Sequence, residues 1–282
     1  MVGALAPLPG GHFNITFSGG GFQGGEGEDG GNEFYIENVF EELDAPAEWY
    51  YDEKTATLSV FWNSTGPPDT SLSVPLLREL VNVTGDQGQP VVNVVISGIG
   101  FRDTAPTYLQ PHGLPSGGDW ALARTGAILL TGVTNVTITN CFFERLDGTA
   151  IFISGFSRNT TISHSSFSWL GESAIALWGI AQGAPVEAMG PDLTAGNVPL
   201  FTRIESNICR EIGIWQKQSS CVFQAEAGLS HIVNNIFYNG PRAAINFNED
   251  SIGGSVVEKN IGFNWCRESG DHVCFLLLQY VH

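Results

Sequence analysis

Two short stretches of the chain, CVFQAEAG and INFNEDSIGG, carry acids and amides at a matching spacing. The separation of Glu226 and Asp250 is the same as that of Gln224 and Asn248. Two carboxyl groups held about 5 Å apart are the arrangement of a retaining glycosidase, and such crowding raises the pKa of one of them. If the stretches stack on each other, they predict an acid and a nucleophile for glycoside hydrolysis. A solvated acidic face or a cation-binding pair is the alternative.

The same spacing predicts which side chains share a face. Phe223 and Phe247 repeat at this separation too, and side chains alternate between the two faces of a strand. We therefore expect both phenylalanines to point inwards. The polar side chains of the two stretches would then line one outer face: Gln224, Glu226, Asn246, Asn248 and Asp250.

Basic and aromatic side chains near these stretches are candidates for substrate binding. Lysine and arginine total only 12 against 29 aspartates and glutamates, so Lys217 and Arg242, which precede the two stretches, are conspicuous. They would hold sugar hydroxyls or a uronate carboxylate, unless each only neutralises a neighbouring acid. Trp178 and Trp215 would stack on sugar rings, unless they belong to the core.

The overall charge restricts the partners of the chain. A formal net charge of −17 argues against nucleic acid or an anionic membrane as a partner, because both need a basic surface. No apolar run reaches about 18 residues, so no membrane span is predicted. Cysteine and histidine show no metal-ligand spacing, and we expect no metal or other cofactor. Neutral glycans, cations and basic proteins remain open as partners.

Five cysteines and five glycosylation motifs bear on the cellular location. The cysteines are expected to be small buried residues with one disulfide among them. The Asn-X-Ser/Thr motifs suggest an extracellular or secretory route, and they begin at Asn14, Asn63, Asn82, Asn135 and Asn159. No signal peptide is visible in MVGALAPLPGGHF, which lacks a basic start and a long apolar stretch.

A repeated six-residue motif explains how distant acids could become neighbours. Its copies read ISGIGF, ITNCFF, ISHSSF, ESNICR, VNNIFY and EKNIGF, with Asn at the third position in four and an aromatic at the sixth in five. The step from Asn140 to His164 is nearly equal to the step from Asn235 to Asn260. A period in the twenties without helical periodicity predicts a solenoid.

The predicted fold is all-β: a right-handed parallel β-helix with an N-terminal β capping module. Each coil would contribute about three short strands, and equivalent residues of neighbouring coils would lie about 4.8 Å apart. The recurring asparagines would then hydrogen-bond to one another, and the aromatics would stack inside.

The chain divides into three predicted parts. Residues 1–90 form the capping module with a glycine-rich acidic loop at 18–33, because the open end of a solenoid must be covered. Residues 91–272 form the coils, with an inserted loop at 182–199. Residues 273–282 are an atypical apolar tail, which fits either a natural or a truncated end.

Several motifs resemble those of a known group of proteins. They are ENVFEELDAPAEWYYDEKTATL, ISGIGFRDTA, PHGLPSGGDWALARTGAILL and GPRAAINFNEDSIGG followed by CRESGDH. Over roughly residues 33–272 the chain resembles right-handed β-helix carbohydrate-active proteins of the pectin-lyase-like group, above all the β-helix fucosidase-type glycoside hydrolases. The resemblance implies a monomeric glycoside hydrolase acting on a complex extracellular polysaccharide or oligosaccharide. Where such proteins continue RESGDH with Gly, Asn, Trp and Asp residues, this chain has VCFLLLQ.

The resemblance also places the Gly-Asp-His sequence at the glycosidase-like cleft. A protonated Asp271 beside a glycosidic oxygen would act as general acid, with Glu226 or Asp250 across the cleft. His272 would position Asp271. Gly-Asp-His is equally compatible with a simple turn.

Two other functions are compatible with the same residues. In a polysaccharide lyase, Lys217 or Arg242 would abstract the proton α to a uronate, and acids such as Glu249 and Asp250 would hold Ca²⁺. A catalytically inactive glycan-binding β-helix is favoured by the unusual tail. A hydrolase is the preferred prediction, because the resemblance is closest to hydrolases and no lyase-type base is obvious.

Overall fold

The computed structural model describes most of the chain, and its regular structure is almost entirely β. The described residues are 2–17, 36–66, 73–108, 110–113, 120–180, 196–248 and 252–268. They form 22 strands and one short 3-10 helix, with no α-helix in these ranges. Within the same ranges, no helix is long and apolar enough to cross a membrane.

Residues 25–74 form a small compact unit of their own. Its described part contains the 3-10 helix Phe40–Glu42 and an antiparallel hairpin of β3 (Trp49–Asp52) and β4 (Thr57–Val60). The Asn38 side chain donates to the Tyr51 carbonyl at 3.0 Å and accepts from the Tyr51 N–H at 2.9 Å. The Asn38 side chain therefore joins the segment before the 3-10 helix to the hairpin.

The larger unit contains an N-terminal hairpin and two long parallel sheets. Antiparallel strands β1 (Val2–Leu8) and β2 (His12–Phe17) form the hairpin. Twelve strands form the larger sheet, in which we distinguish two strips. The first strip consists of β5 (Val81–Thr84), the beginnings of β8 (Ile128–Thr139) and β10 (Ile151–Arg158), β13 (Ile175–Trp178), β17 (Val222–Ala225) and β20 (Ile245–Phe247).

The second strip and the smaller sheet follow the first strip along the chain. The second strip consists of the ends of β8 and β10 with β6 (Val91–Ser97), β11 (Thr161–Ser163), β14 (Pro199–Leu200), β15 (Arg203–Glu205), β18 (His231–Val233) and β21 (Val256–Glu258). The six-stranded sheet consists of β7 (Gly100–Arg102), β9 (Phe142–Leu146), β12 (Ser166–Leu170), β16 (Ile208–Arg210), β19 (Ile236–Tyr238) and β22 (Ile261–Phe263).

The chain runs through the first strip, the second strip and the six-stranded sheet, and then repeats this circuit. Each strand pairs in parallel with the equivalent strand of the next circuit, as in the series Ile151, Ile175, Val222 and Ile245. This arrangement is consistent with the predicted parallel β-helix. The circuits include β5, which precedes the predicted start of the coils at residue 91 and pairs with β8.

The main core consists of the inward-facing residues of the first strip, the second strip and the six-stranded sheet. The rings of Phe101 and Phe143 stack at 5.1 Å, and those of Phe143 and Phe167 stack at 4.8 Å. All three are buried, as predicted for the aromatics of the repeated motif. Tyr238 and Phe263 also stack, at 4.9 Å, but Phe263 is 51% exposed, so this pair lies outside the core.

A buried asparagine ladder links the last three circuits. Asn207 Nδ2 donates to Asn235 Oδ1 at 3.1 Å, and Asn235 Nδ2 donates to Asn260 Oδ1 at 2.9 Å. The same oxygens accept the backbone N–H of Asn207 and of Asn235, both at 2.9 Å. The predicted hydrogen bonding between asparagines of adjacent coils is therefore confirmed for these three residues.

The alignment of the first motif copies with the later ones was one residue wrong. Ser163 pairs with Glu205, which places His164 opposite Ser206 rather than opposite Asn207. Asn140, His164 and Ser206 have φ values of 54°, 49° and 55°, so they share a left-handed turn position. Asparagine is favoured at such turns as well as in the ladder, and the sequence pattern merged the two positions.

Candidate functional site

The strand register corrects the predicted outer face of the first strip. Phe223 pairs with Asn246 and Gln224 pairs with Phe247, so the offset is one residue shorter than predicted. Phe247 packs against the main core, so Gln224 also points inwards; it is fully buried and donates to the Ala227 carbonyl at 3.0 Å. The prediction that Gln224 lines the outer face is wrong. The predicted inward Phe223 is wrong too, because Phe223 belongs to a second, outer cluster.

The offset between these circuits is not constant, which explains the error. It is one residue shorter than predicted where Gln224 pairs with Phe247, but one residue longer where Gly228 pairs with Gly253. The constant offset between circuits that the sequence suggested therefore does not apply on either side of Glu226. Asn246 lies opposite Phe223 on the outer side, and Asn248 donates its backbone N–H to the Gln224 carbonyl at 2.7 Å. Both asparagines are half-buried.

A covering segment, residues 120–124, lies over the outer face of the first strip. Trp120 and Leu122 pack there with strand residues in an outer apolar cluster, whose other buried members are Phe152, Ala176, Trp178, Phe223, Ala225 and Ala243. Trp178 is only 7% exposed, in line with the core alternative for this residue. This part of the face is therefore covered by apolar contacts and is not an open polar groove.

Residues 211–221, which lead from the six-stranded sheet to β17, hold the covering segment in place. Gln218 Oε1 accepts the backbone N–H of Trp120 at 2.5 Å, and Gln216 Nε2 donates to the Ala121 carbonyl at 3.4 Å. A disulfide joins Cys209 of β16 to Cys221 at the end of this stretch. The expected disulfide is thus present.

The other predicted binding residues lie on this side of the first strip or beside it. Arg242 is 1% exposed, and its guanidinium lies 4.9 Å from the centre of the Trp120 ring. Lys217 forms an ion pair with Glu268 at 2.6 Å, as the neutralising alternative expected. Trp215 is partly exposed and donates its backbone N–H to the Gly171 carbonyl at 3.1 Å.

Sequence reasoning missed Arg124, which occupies the end of the covering segment. Its guanidinium donates to Ser154 Oγ at 3.1 Å and to the carbonyls of Trp178 and Gly179 at 3.0 and 3.1 Å. It also stacks 3.9 Å from the centre of a Trp178 ring. Burial lowers the pKa of Arg124, and the charge of Glu226 partly opposes this effect. Arg124 remains a cation, because a guanidinium does not lose its proton in proteins.

Glu226 directly follows β17, the strand that pairs with β13, and is half-buried. Its φ of 47° is in the left-handed region, which is uncommon for a residue other than glycine, asparagine or aspartate. A Cβ atom built on Gly179 would lie 2.8 Å from the Glu226 Cβ, so the two residues are in close contact. Arg124, Trp178, Gly179 and Glu226 together form what we call the Arg124 site.

Two donors near this site have no acceptor within the described part of the chain. They are Trp178 Nε1 and Asn246 Nδ2, both buried atoms of the outer face. Buried donors in native proteins are nearly always paired with protein or ordered water. Both atoms lie beneath the surface of the described part of the chain.

A second polar cluster that the sequence did not predict anchors residues 110–113. His112 Nε2 lies 3.0 Å from Glu172 Oε1, and Thr149 Oγ1 donates to Glu172 Oε2 at 3.1 Å. His112 Nδ1 lies 2.6 Å from the Gln110 carbonyl, which can only accept, so Nδ1 carries a proton. The His112 and Glu172 side chains are each 1% exposed. The His112 ring and the Glu172 carboxyl group are therefore joined by a buried contact.

The remaining predicted site residues lie outside the described ranges. They are Glu249, Asp250, Asp271 and His272. The proposed pairing of Glu226 with Asp250, and the role of Asp271, therefore stay predictions. Among the described residues, no group of three or more His, Cys, Asp or Glu side chains is arranged to hold a metal ion.

Comparison with known proteins supports the fold more than any particular activity. No protein-family model matches the chain, and no curated protein matches its sequence. A solved structure described as a glycoside hydrolase is similar in fold, with a TM-score of 0.54 and 16% sequence identity. The similarity covers 74% of this chain and 40% of that protein. The chain thus spans about two fifths of the length of a glycoside hydrolase that has the same kind of fold.

Proposed function

We propose that this protein is a right-handed parallel β-helix glycoside hydrolase that acts on a complex extracellular polysaccharide. The repeated circuits of parallel strands and the fold similarity to a glycoside hydrolase support the proposal. The observation that carries it is the position of Glu226. This half-buried glutamate follows β17 and is in close contact with Gly179, whose carbonyl accepts a hydrogen bond from the Arg124 guanidinium.

The proposed reaction uses Glu226 and a second carboxyl group, from Asp250 or Asp271. Glu226 attacks the anomeric carbon while the second carboxyl group gives its proton to the departing glycosidic oxygen. The second residue then removes a proton from water, which attacks the same carbon and releases Glu226. Both carboxyl groups return to their starting forms, and the net change is hydrolysis of one glycosidic bond.

The proposed substrate contacts come from the outer side of the first strip. Asn246 and Asn248, which are half-buried, would hydrogen-bond to sugar hydroxyls. Arg242 is not proposed as a base, since it is buried against Trp120 and a guanidinium does not lose its proton in proteins. A calcium-dependent lyase is therefore less well supported than a hydrolase.

An extracellular location is part of the proposal. The asparagines of all five glycosylation motifs have exposed side chains: Asn14, Asn63, Asn82, Asn135 and Asn159. Exposure is what attachment of a glycan in the folded protein requires. Mass spectrometry of protein secreted from a eukaryotic host would identify which of them carry sugars.

Activity on a glycan panel tests the function. Wild-type protein is incubated with neutral and uronate-containing oligosaccharides, and new reducing ends and ultraviolet-absorbing unsaturated products are measured separately. Glu226→Gln should reduce hydrolysis by at least about 10³-fold, as expected when a group central to the mechanism is lost. Glu258→Gln, which changes an exposed glutamate on β21, is the matched control. Unsaturated products, or equal activity of Glu226→Gln and wild type, would refute the hydrolase.

A further inference from the structure

Arg124 is fixed more firmly than a surface arginine normally is. Three hydrogen bonds, to Ser154 Oγ and to the carbonyls of Trp178 and Gly179, orient its guanidinium, and the Trp178 ring supports one of its faces. A planar guanidinium held in this way loses little further freedom when it interacts with a carboxylate. The site therefore holds its positive charge in one position.

Gly179 brings Glu226 close to this charge. The Gly179 carbonyl accepts from Arg124 at 3.1 Å, and its N–H donates to the Ala225 carbonyl, also at 3.1 Å. A side chain on Gly179 would collide with the Glu226 carbonyl and Cβ, at 2.4 and 2.8 Å from the added atom. The absence of a side chain at Gly179 thus leaves room for Glu226. The carbonyl of the same glycine binds Arg124, so Gly179 contacts both residues.

The described side chains next to Glu226 on the neighbouring elements are uncharged. The end of β13 contributes Trp178 and Gly179, residues 196–198 are Gly-Asn-Val, and the end of β20 contributes uncharged Asn246 and Asn248. Glu249 and Asp250 follow in the chain but lie outside the described ranges. Two cations are bound by these elements, Arg124 by the Gly179 carbonyl and Arg158 by the Gly196 carbonyl. Burial lowers the pKa of Arg124 and the charge of Glu226 raises it, so Arg124 is a cation that interacts with Glu226.

We infer that Arg124 is a positioning residue that keeps Glu226 ionised, as the nucleophile of the proposed reaction must be. This inference rests on the proposed hydrolase for its catalytic meaning. Two carboxyl groups can divide the acid and nucleophile roles only if their surroundings differ. A fixed cation beside one of them supplies that difference, because it stabilises the charged form of its neighbour.

The test is a direct titration of Glu226 that needs no substrate. Glutamate carboxyl carbons are labelled with ¹³C, the Glu226 signal is assigned with Glu226→Gln, and its titration is followed by NMR. In Arg124→Gln the protonation equilibrium of Glu226 should shift by at least about tenfold towards the protonated form, as expected when an adjacent cation is removed. Arg124→Lys, which keeps the charge but not the guanidinium fork, should shift it less.

Arg158→Gln is the matched control. Arg158 also stacks on an aromatic ring, 4.3 Å from the Phe156 centre, and also donates to backbone carbonyls, including that of Gly196 at 3.2 Å. Burial alone lowers the pKa of Arg158, with no contribution from Glu226. Its removal should leave the Glu226 titration unchanged. An unchanged titration in Arg124→Gln, or an equal shift in Arg158→Gln, would overturn the inference.

Two further outcomes are also decisive. If Arg124→Gln does not fold, the wild-type titration decides: a Glu226 midpoint above about 4.3, the value of an exposed glutamate, contradicts the inference. If Glu226 responds to Arg124 but the glycan panel shows no hydrolysis, the charge pair stands and the proposed reaction fails. Where hydrolysis is observed, the acidic limb of the kcat/KM profile should move upwards in Arg124→Gln by the same amount as the NMR midpoint.

Discussion

Replacement of Asn235 by alanine should be strongly destabilising, because one side chain joins three circuits. Its Oδ1 accepts the backbone N–H and Nδ2 of Asn207 at 2.9 and 3.1 Å. Its Nδ2 donates to the Ile204 carbonyl and to Asn260 Oδ1, both at 2.9 Å. Asn235 is fully buried, so these partners are not rescued by bulk solvent.

The magnitude follows from the groups left without partners. Asn235→Ala removes the acceptor of two buried donors on Asn207 and the side-chain donor to the Ile204 carbonyl. Each buried unsatisfied group costs about 1–3 kcal/mol, so with three such groups the free energy of unfolding should fall by about 3–9 kcal/mol. That is a large part of the 5–15 kcal/mol typical of native proteins.

Urea unfolding followed by circular dichroism measures this loss. The matched control is Asn234→Gly, which changes the neighbouring asparagine. Asn234 is exposed, has a φ of 57° and makes one side-chain bond, to Ser206 Oγ at 3.1 Å. Glycine accepts that φ, so the control should lose no more than about 1 kcal/mol. A loss below about 1 kcal/mol for Asn235→Ala would refute the stabilising role of the ladder.

Two other contacts give testable expectations. Cys209 and Cys221 are 12 residues apart, and replacing both by alanine should lower the free energy of unfolding by about 3 kcal/mol. Thermal unfolding of the wild type with and without reductant should show the same loss of stability. Equal melting temperatures would contradict this expectation. Glu172→Ala should cost about 2–6 kcal/mol, because it removes the contact of two buried groups, His112 Nε2 and Thr149 Oγ1. Glu172→Gln keeps an amide that can bond to both groups and should lose about 1 kcal/mol or less. Equal stability of the two Glu172 variants in urea would show that these hydrogen bonds have no role.

The repeat could be predicted from the sequence because period and turn chemistry are local properties. Phe101, Phe143 and Phe167 recur at steps set by the circuit, and their stacking inside the core follows from that period alone. Asn140 was misplaced because asparagine suits both a left-handed turn and the buried ladder, and the two positions are adjacent. Only the pairing of strands separates them.

The candidate site was less predictable because it depends on register and on a distant segment. A change of one residue in register exchanged the faces of Phe223 and Gln224. The offset between circuits lengthens across Glu226, and no single period describes that. Arg124 comes from about one hundred residues earlier in the chain. Its sequence neighbourhood has no strand alternation, so nothing local indicated that it reaches the first strip.

The covering segment has a consequence for how this protein unfolds. In a simple solenoid each repeat touches only its neighbours, so stability is close to a sum of nearest-neighbour terms and the ends can fray separately. Trp120 precedes β8 in the chain, yet its ring centre lies 6.1 Å from the ring centre of Phe223. Phe223 is on β17, three strands beyond β8 in the first strip. The contact between Trp120 and Phe223 therefore couples circuits that are not neighbours. Unfolding should therefore be concerted from β8 to β17, with independent fraying confined to the strands beyond them.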